Sequence, residues 1–350
     1  MKILVINFAA SEGGALSILQ DFYESINEND KDNEWYFLLS DRYLEETKNI
    51  KVIVDPSLKK WSKRIFFDLF LHKSLLKEIQ PDVIFSMQNT SLFSLKIPQI
   101  LYLHQSLPFQ KEKKYSFFKK EERKFAVYQF IIGNFIKYSL KYTNKIVVQT
   151  VWMRKAVENT KYGRNKAIAV QPPIPIEKNN TEVILTYRDF FYPTSDAPYK
   201  NISLIEDACK IVNRTNPNID INVDITIDRE IPSSSITSIG KIPRSEVVNR
   251  YQKSILIFPS FIETFGMPLA EAKAMGTIIL AADTEFSREI LEGYENAYFF
   301  NHTDSNQLAE LMVQCAMKDI TLSNATSLKT NSTSDGWDTV QQEIFTLLNN

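Results

Sequence analysis

The residues best placed to do chemistry lie in FPSFIETFGMPLAEAKAMG, residues 258–276. Two carboxylates, Glu263 and Glu271, stand there, and Thr264, Phe265 and Gly266 follow the first. An apolar run ends at Phe258, and a short loop then carries Glu263. Gly266 permits close backbone approach and dihedrals that other residues avoid. Pro268 suits the first turn of a helix, where its missing N–H is not needed. A helix N-terminus therefore opens at the C-terminal edge of a buried strand, and its amides and dipole favour a phosphate. Glu271 is expected within that first turn, in reach of a ligand on the same amides.

Other candidates are more dispersed. In APYKNISLIEDA (197–208) a Lys-Asn pair opens a helix, so Lys200 could place a point charge on an anion, unless it is a plain loop lysine. SIGKIPRSEVV (238–248) puts Gly240, Lys241 and Ile242 in a loop before a helix. Glu12-Gly13-Gly14 separates the first strand from the first helix. Two glycines there let the backbone approach a diphosphate, or simply make a strand-to-helix turn. G-x-G-x-x-G is absent, so this is not a dinucleotide fingerprint. His104 ends the strand QILYLH, where ligand contacts collect in open α/β sheets, although a satisfied core histidine is the plainer alternative. His72 reads as structural and His302 as surface. No metal site is expected. There are three histidines in all, Cys209 and Cys315 are far apart, and the one Asp-x-Asp, Asp30-Lys31-Asp32, reads as solvated loop.

These residues need a scaffold, and the hydrophobic pattern supplies one. KILVIN (2–7), WYFLLS (35–40), NIKVIV (49–54), DVIFSM (82–87), QILYLH (99–104) and NKIVVQT (144–150) read as buried strands alternating with helical stretches. QPPIPIEKNN (171–180) is Pro-rich, then polar, and reads as a domain edge. A second series follows. VILTYR (183–188), DINVDITI (220–227), SILIFPS (254–260) and TIILAAD (277–283) are its strands, with helices at 201–215, 244–252, 268–275 and 305–316. The fold class is α/β, with two Rossmann-like domains facing across a cleft. The domains are 1–175 and 176–334, and an amphipathic helix falls in 335–350.

With strand, FG, Pro and terminal Gly in register, the 258–276 segment resembles glycosyltransferase family 4. That family typically carries E-x-F-G-x-x-x-x-E, matched here by Glu263, Thr264, Phe265, Gly266 and Glu271. The resemblance implies a GT-B enzyme that transfers a sugar from a nucleotide-sugar donor with retention and without a metal or other cofactor. The C-terminal domain would bind the donor and the N-terminal domain the acceptor, with the last helix crossing back to the first domain. Glu263 would hydrogen-bond the donor sugar. The 264–266 backbone would lie against sugar and diphosphate, and Glu271 would accept from the ribose hydroxyls. Lys200 would stabilise the leaving diphosphate, Gly240 to Ile242 would meet the base, Gly13 and Gly14 the diphosphate, and His104 the donor sugar. Family members usually carry Gly-Arg a few residues before the lysine. This chain has FFYPTSDAP there, with Arg188 and Arg244 as possible replacements. A nucleotide-sugar 2-epimerase on the same fold, or a non-catalytic nucleotide-sugar-binding partner subunit, are the alternatives. The sequence names neither sugar, base, acceptor nor linkage.

Bulk composition fits this reading. The 350 residues are 44% hydrophobic and 24% charged, ordinary for a globular chain of two domains. Two cysteines suggest a reducing, cytoplasmic compartment. The start of the chain lacks the length and cleavage site of a signal peptide, and no run is long enough to span a bilayer. The net charge of −1 hides a split. Residues 1–175 carry 27 Lys and Arg against 18 acids, a net of +9, and the rest carry 14 against 24, a net of −10. Two stretches, 59–79 and 110–145, interleave those bases with Trp, Phe and Leu at helical spacing. Such stretches suit peripheral binding to an anionic membrane, or are helices with a solvated basic face; the resemblance implies a saccharide acceptor that is lipid-linked in many similar enzymes. Nothing points to nucleic acid. The expected setting is bacterial surface-polysaccharide assembly at the inner face of the cell membrane.

Overall fold

The computed structural model describes residues 1–10, 13–174, 184–323 and 335–347. It divides the chain into two compact units, Met1–Pro173 with Ser332–Asn350, and Ile174–Asn331.

The first unit is a seven-stranded, all-parallel sheet in the order β3-β2-β1-β4-β5-β6-β7. The strands are β1 (Lys2–Asn7), β2 (Glu34–Leu39), β3 (Ile50–Val54), β4 (Val83–Ser86), β5 (Gln99–Tyr102), β6 (Lys145–Val148) and β7 (Ala167–Ala169). The continuous apolar runs arise because helices cover both faces. Successive residues of β1 feed opposite cores. Ile3 and Val5 pack with Leu19, Phe22 and Ile26 of α1 (Gly13–Asn29). Leu4 and Ile6 pack with Phe67, Leu76 and Ile79. Those last residues belong to a rod made of α2 (Trp61–Phe66), a π-helical turn (Phe67–Leu71) and α3 (His72–Ile79). A second rod has the same plan: α4 (Arg123–Ala126), a π-helical turn (Val127–Ile132) and α5 (Gly133–Ser139). α6 (Val151–Glu158) precedes β7. Only the later part of the basic stretch 110–145 is thus helical, because turns and loops occupy 110–122.

The second unit repeats the plan with six parallel strands in the order β10-β9-β8-β11-β12-β13. They are β8 (Asp189–Tyr192), β9 (Asn222–Ile225), β10 (Ile236–Ser238), β11 (Ile255–Phe258), β12 (Ile279–Ala282) and β13 (Ala297–Phe300). The helices are α7 (Ile202–Thr215), α8 (Arg244–Tyr251), α9 (Met267–Met275), α10 (Glu285–Ile290) and α11 (Ser305–Ala316). The first strand is not VILTYR. Ile184 is exposed, and the strand is DFFY, whose Phe190, Phe191 and Tyr192 are fully buried between helices. Three aromatic rings bury more apolar area than the Ile-Leu pair before them, and that sets the register.

The last helix, α12 (Asp335–Thr346), belongs to the first unit. Trp337 stacks near Phe22 and Tyr102, Gln341 donates to Ser25, and Lys145 pairs with Glu343. Cys209 and Cys315 are buried, and burial pushes each thiol up to about 12, so both are inert packing groups. Among the described residues no helix is long and apolar enough to cross a membrane.

Candidate functional site

Each sheet reverses its strand order once, between β1 and β4 in the first unit and between β8 and β11 in the second. Loops leaving the C-terminal ends of the strands at such a point diverge and leave a crevice for ligand. The strongest sequence candidates follow this rule. Lys200 comes after β8, and Glu263 after β11.

The β11–α9 loop is held from inside. Ile262 and Phe265 are buried, and Glu263 between them is half-buried. Ser260, fully buried, places its Oγ 2.7 Å from Glu263 Oε1 and 3.2 Å from the carbonyl of Tyr199. Phe261 N–H donates to that same carbonyl at 3.1 Å. The loop then turns at Gly266, whose φ of +93° is strained for any other residue. A Cβ there would also lie 3.3 Å from Leu269. Gly266 caps the start of α9 and Gly276, with φ of +82°, caps its end.

Lys200 ends a short 3-10 turn, Pro198–Lys200, and Asn201 follows in the left-handed region with φ of 59°. Asn201 Nδ2 donates to the carbonyl of His302 at 2.8 Å, and Tyr192 OH donates to the carbonyl of Lys200 at 3.0 Å. Thus positioned, Lys200 Nζ lies 2.5 Å from Glu263 Oε1. Both side chains are mostly covered, at 18% and 16% exposure, yet still open to a ligand. Burial, and then the Glu263 charge, holds the Tyr199 phenol up to about 12, so it stays a neutral wall of the site.

Glu271 is the fifth residue of α9, a turn deeper than expected. It is almost fully buried. Arg244, at the start of α8, donates to its Oε1 at 2.8 Å, and Tyr251 OH donates to its Oε2 at 3.1 Å. Burial raises its pKa, and Arg244 opposes that shift. Each oxygen keeps a further lone pair for a ligand hydroxyl.

Of the two candidate replacement arginines, Arg244 is at this carboxylate. Arg188 immediately precedes β8 and is therefore at the opposite edge of the parallel sheet. An arginine that the sequence did not single out, Arg229, reaches the loop where Gly-Arg is missing. It pairs with both oxygens of Asp196, at 3.1 and 3.3 Å. Next to it is a groove of about 400 Å³ lined by Thr194, Thr226, Asp228, Lys241 and Ile242. Gly240, with φ of +68°, makes the turn that brings Lys241 and Ile242 to it, and its amide donates to Ile227 O at 3.1 Å.

Gly13, Gly14 and His104 lie in the first unit. The two glycines open α1, and a Cβ on Gly14 would meet nothing within 4 Å. His104 follows β5, and its backbone N–H donates to Asn89 Oδ1 at 2.8 Å. His72 is buried, with Nδ1 2.8 Å from Phe67 O, as a structural histidine would be. His302 is not a surface residue. It is half-buried and stacks on Phe261 at 5.2 Å beside the Glu263 loop. Asp30 is not solvated either. Its carboxylate organises a turn, accepting from Trp35 Nε1 at 2.9 Å and from Asn33. Among the described residues no cluster of His, Cys, Asp and Glu could hold a metal ion. The supporting groups Tyr192 and Tyr199 escape sequence reading because they act through backbone carbonyls, Tyr192 on that of Lys200 and Tyr199 by its own accepting from Ser260 and Phe261.

Two parallel sheets of this strand order in one chain define a GT-B architecture, and solved structures share it. TarM of S. aureus is 10% identical, with TM-score 0.69 over 100% of this chain and 99% of that one. WaaG, "a glycosyltransferase involved in lipopolysaccharide biosynthesis", is 12% identical, with TM-score 0.66 over 98% and 99%. Anabaena Alr3699/HepE, solved with UDP and glucose, is 14% identical, with TM-score 0.62 over 100% and 97%. Residues 228–326, which include both glutamates, match the family model described as Glycosyl transferases group 1. No curated protein sequence matches the chain.

Proposed function

We propose that the protein transfers a sugar, with retention and without a metal, from a nucleotide-sugar donor to a saccharide acceptor. The observation that carries this is the Lys200–Glu263 pair at 2.5 Å, set at the strand-order reversal beside the N-terminus of α9. Glu263 takes the hydroxyls of the donor sugar, and the 264–266 backbone lies against sugar and diphosphate. Glu271, braced by Arg244 and Tyr251, takes the ribose hydroxyls. The groove beside Gly240, Lys241 and Ile242 takes the base. Lys200 turns from Glu263 toward the diphosphate as charge develops there, and the α9 amides add to it. In the transfer the bond from the anomeric carbon to the phosphate oxygen breaks. A bond to the acceptor oxygen forms on the same face, and the acceptor proton passes to the leaving phosphate oxygen. For the first unit we propose the roles that the family resemblance implies, His104 for a donor sugar and Gly13 and Gly14 for a diphosphate.

The acceptor we propose is a lipid-linked saccharide of a bacterial surface polysaccharide, met at the cytoplasmic face of the membrane. TarM solved with UDP and α-GlcNAc-glycerol, and WaaG in lipopolysaccharide biosynthesis, support the class of acceptor. Membrane contact is supported by exposed apolar side chains confined largely to the two basic stretches. Phe66, Phe70 and Leu71 come from one, and Phe117, Phe118 and Ile131 from the other. The two rods touch where Trp61 meets Phe135 edge to face. Each Lys or Arg near an anionic surface contributes about 1 kcal/mol, and the aromatic rings add an apolar share.

The test is donor hydrolysis without acceptor across a panel of nucleotide sugars, in buffer containing EDTA. Release of nucleoside diphosphate from one donor supports the reading. Donor binding with no release at any concentration would instead mark a non-catalytic binding subunit.

A further inference from the structure

We propose that Asn89 fixes His104 as the neutral tautomer with its proton on Nδ1, so that the imidazole meets its ligand as a hydrogen-bond donor. The inference rests on the reading of His104 as a donor-sugar contact, and adds the residue that sets its protonation.

The argument begins with a group whose role is not in question. The backbone N–H of His104 can only donate, and the Asn89 side-chain atom 2.8 Å away is therefore the carbonyl Oδ1. That fixes the orientation of the carboxamide. The remaining atom, Nδ2, carries two hydrogens and lies 3.3 Å from His104 Nε2. Two donors cannot share that contact, so Nε2 presents its lone pair and the ring proton sits on Nδ1. Nδ1 is buried and has no partner among the described residues. A buried donor without an acceptor is costly, and its use is explained if a ligand oxygen supplies the acceptor. A sugar hydroxyl does so. Burial also pushes the imidazole down to about 4, so the ring stays neutral across the physiological range.

The position suits asparagine in two further ways. Asn89 has φ of 69°, the left-handed region that Asn tolerates better than other side-chain-bearing residues. Its neighbours are clamped to one carboxylate. Gln88 Nε2 donates to Asp68 Oδ1 at 2.8 Å, and Thr90 Oγ1 donates to Asp68 Oδ2 at 2.7 Å. Ser86 Oγ closes the loop on Thr90 O at 2.6 Å. Asp68 lies in the π-helical turn Phe67–Leu71, an irregularity that recurs at functional sites. Asn89 is thus a positioning residue. With its proton on Nδ1 and its Nε2 lone pair engaged, His104 is a donor and not a general base.

The experiment is nitrogen-15 NMR of the histidine rings in the full chain near neutral pH. Only three histidines are present, and His104→Gln assigns the signal. The expected result is a protonated Nδ1 and a lone-pair Nε2 at His104. Asn89→Asp places a carboxylate oxygen opposite Nε2 and should draw the proton there. Nδ1 then becomes an acceptor, and donor hydrolysis should fall about 10- to 100-fold. If Asn89→Asp does not fold, Asn89→Gly keeps the backbone conformation, and a mixed tautomer is expected in its place. A proton on Nε2 in the wild type, or a tautomer unmoved by these variants, overturns the proposal. So does a moved tautomer with unchanged turnover. The ring signals need no donor, so absence of wild-type hydrolysis would count against the glycosyltransferase reading alone.

Discussion

Replacing Lys200 with Met removes the ammonium and keeps most of the aliphatic stem. Two consequences follow from the geometry, and they differ in size. The first is structural. Lys200 and Glu263 pair at 2.5 Å, with 18% and 16% of their side chains exposed. Breaking a surface pair costs less than about 1 kcal/mol, and breaking a fully buried one about 3–5 kcal/mol. Ser260 still donates to Glu263, and water still reaches it, so a cost of about 1–2 kcal/mol is expected. That corresponds to a few degrees in the melting temperature at roughly 2–4 °C per kcal/mol. The second consequence is chemical. A donor aimed at charge that develops in the transition state is worth about 2.7–4 kcal/mol, or roughly 10²- to 10³-fold in turnover. Glu263→Gln should show the same asymmetry. The double variant should lose less than the product of the single losses, because each residue positions the other. The assay is initial-rate donor turnover at saturating donor, with calorimetry on the same preparations. Folded Lys200→Met or Glu263→Gln protein with near-normal turnover would refute the site assignment, and the pair would then be a structural bridge.

Three further outcomes are expected. Turnover should survive EDTA if Lys200 and the α9 amides take the diphosphate as proposed; complete loss that manganese or magnesium restores would refute metal independence. Burial raises Asp68 to about 7 from 3.8, against the opposing hydrogen bond of Thr90 and the charge of Arg64. Between those values the folded chain holds a proton that the unfolded chain has lost. Stability should therefore fall as pH rises from about 4 to about 7, by at most about 4 kcal/mol from this group, and level off above. Asp68→Asn should remove that slope in denaturant midpoints measured against pH, and an identical slope in the variant would exclude Asp68 as its source. The protein should sediment with anionic vesicles at low salt, and Phe70→Ser with Phe118→Ser should weaken that binding. Wild-type protein left in the supernatant with every vesicle type would leave the basic rods as solvated faces and favour a soluble acceptor.

The sequence by itself determined the parts of this protein that depend on local pattern. Continuous apolar runs such as KILVIN and ILIF are needed only where a strand is covered on both faces, so they announced parallel sheets. Glu263, Gly266, Pro268 and Glu271 were legible because a strand end, a left-handed glycine and a helix start must follow in that order within one short segment. Pattern failed where local signals were nearly balanced. VILTYR and DFFY are adjacent and both apolar, and only packing against β9 and β11 selected the aromatic one. Short strands such as β7 and β10 carry too few residues to show a period, and sheet neighbours form them.

The tertiary structure alone decided which distant residues meet. The partners Lys200 and Glu263 are 63 residues apart, and a shared reversal of strand order joins them. Arg229 reaches the loop of Asp196, although the sequence offered Arg188 and Arg244; a parallel strand carries Arg188 to the opposite edge, and Arg244 pairs with Glu271. Asn89 and His104 belong to neighbouring strands' loops, and which imidazole nitrogen holds the proton depends on that contact. Hydrophobic periodicity encodes which face of an element is buried. It does not encode the directional hydrogen bonds between loops, because those need atoms placed to within a few tenths of an ångström, and only the assembled sheet supplies that precision.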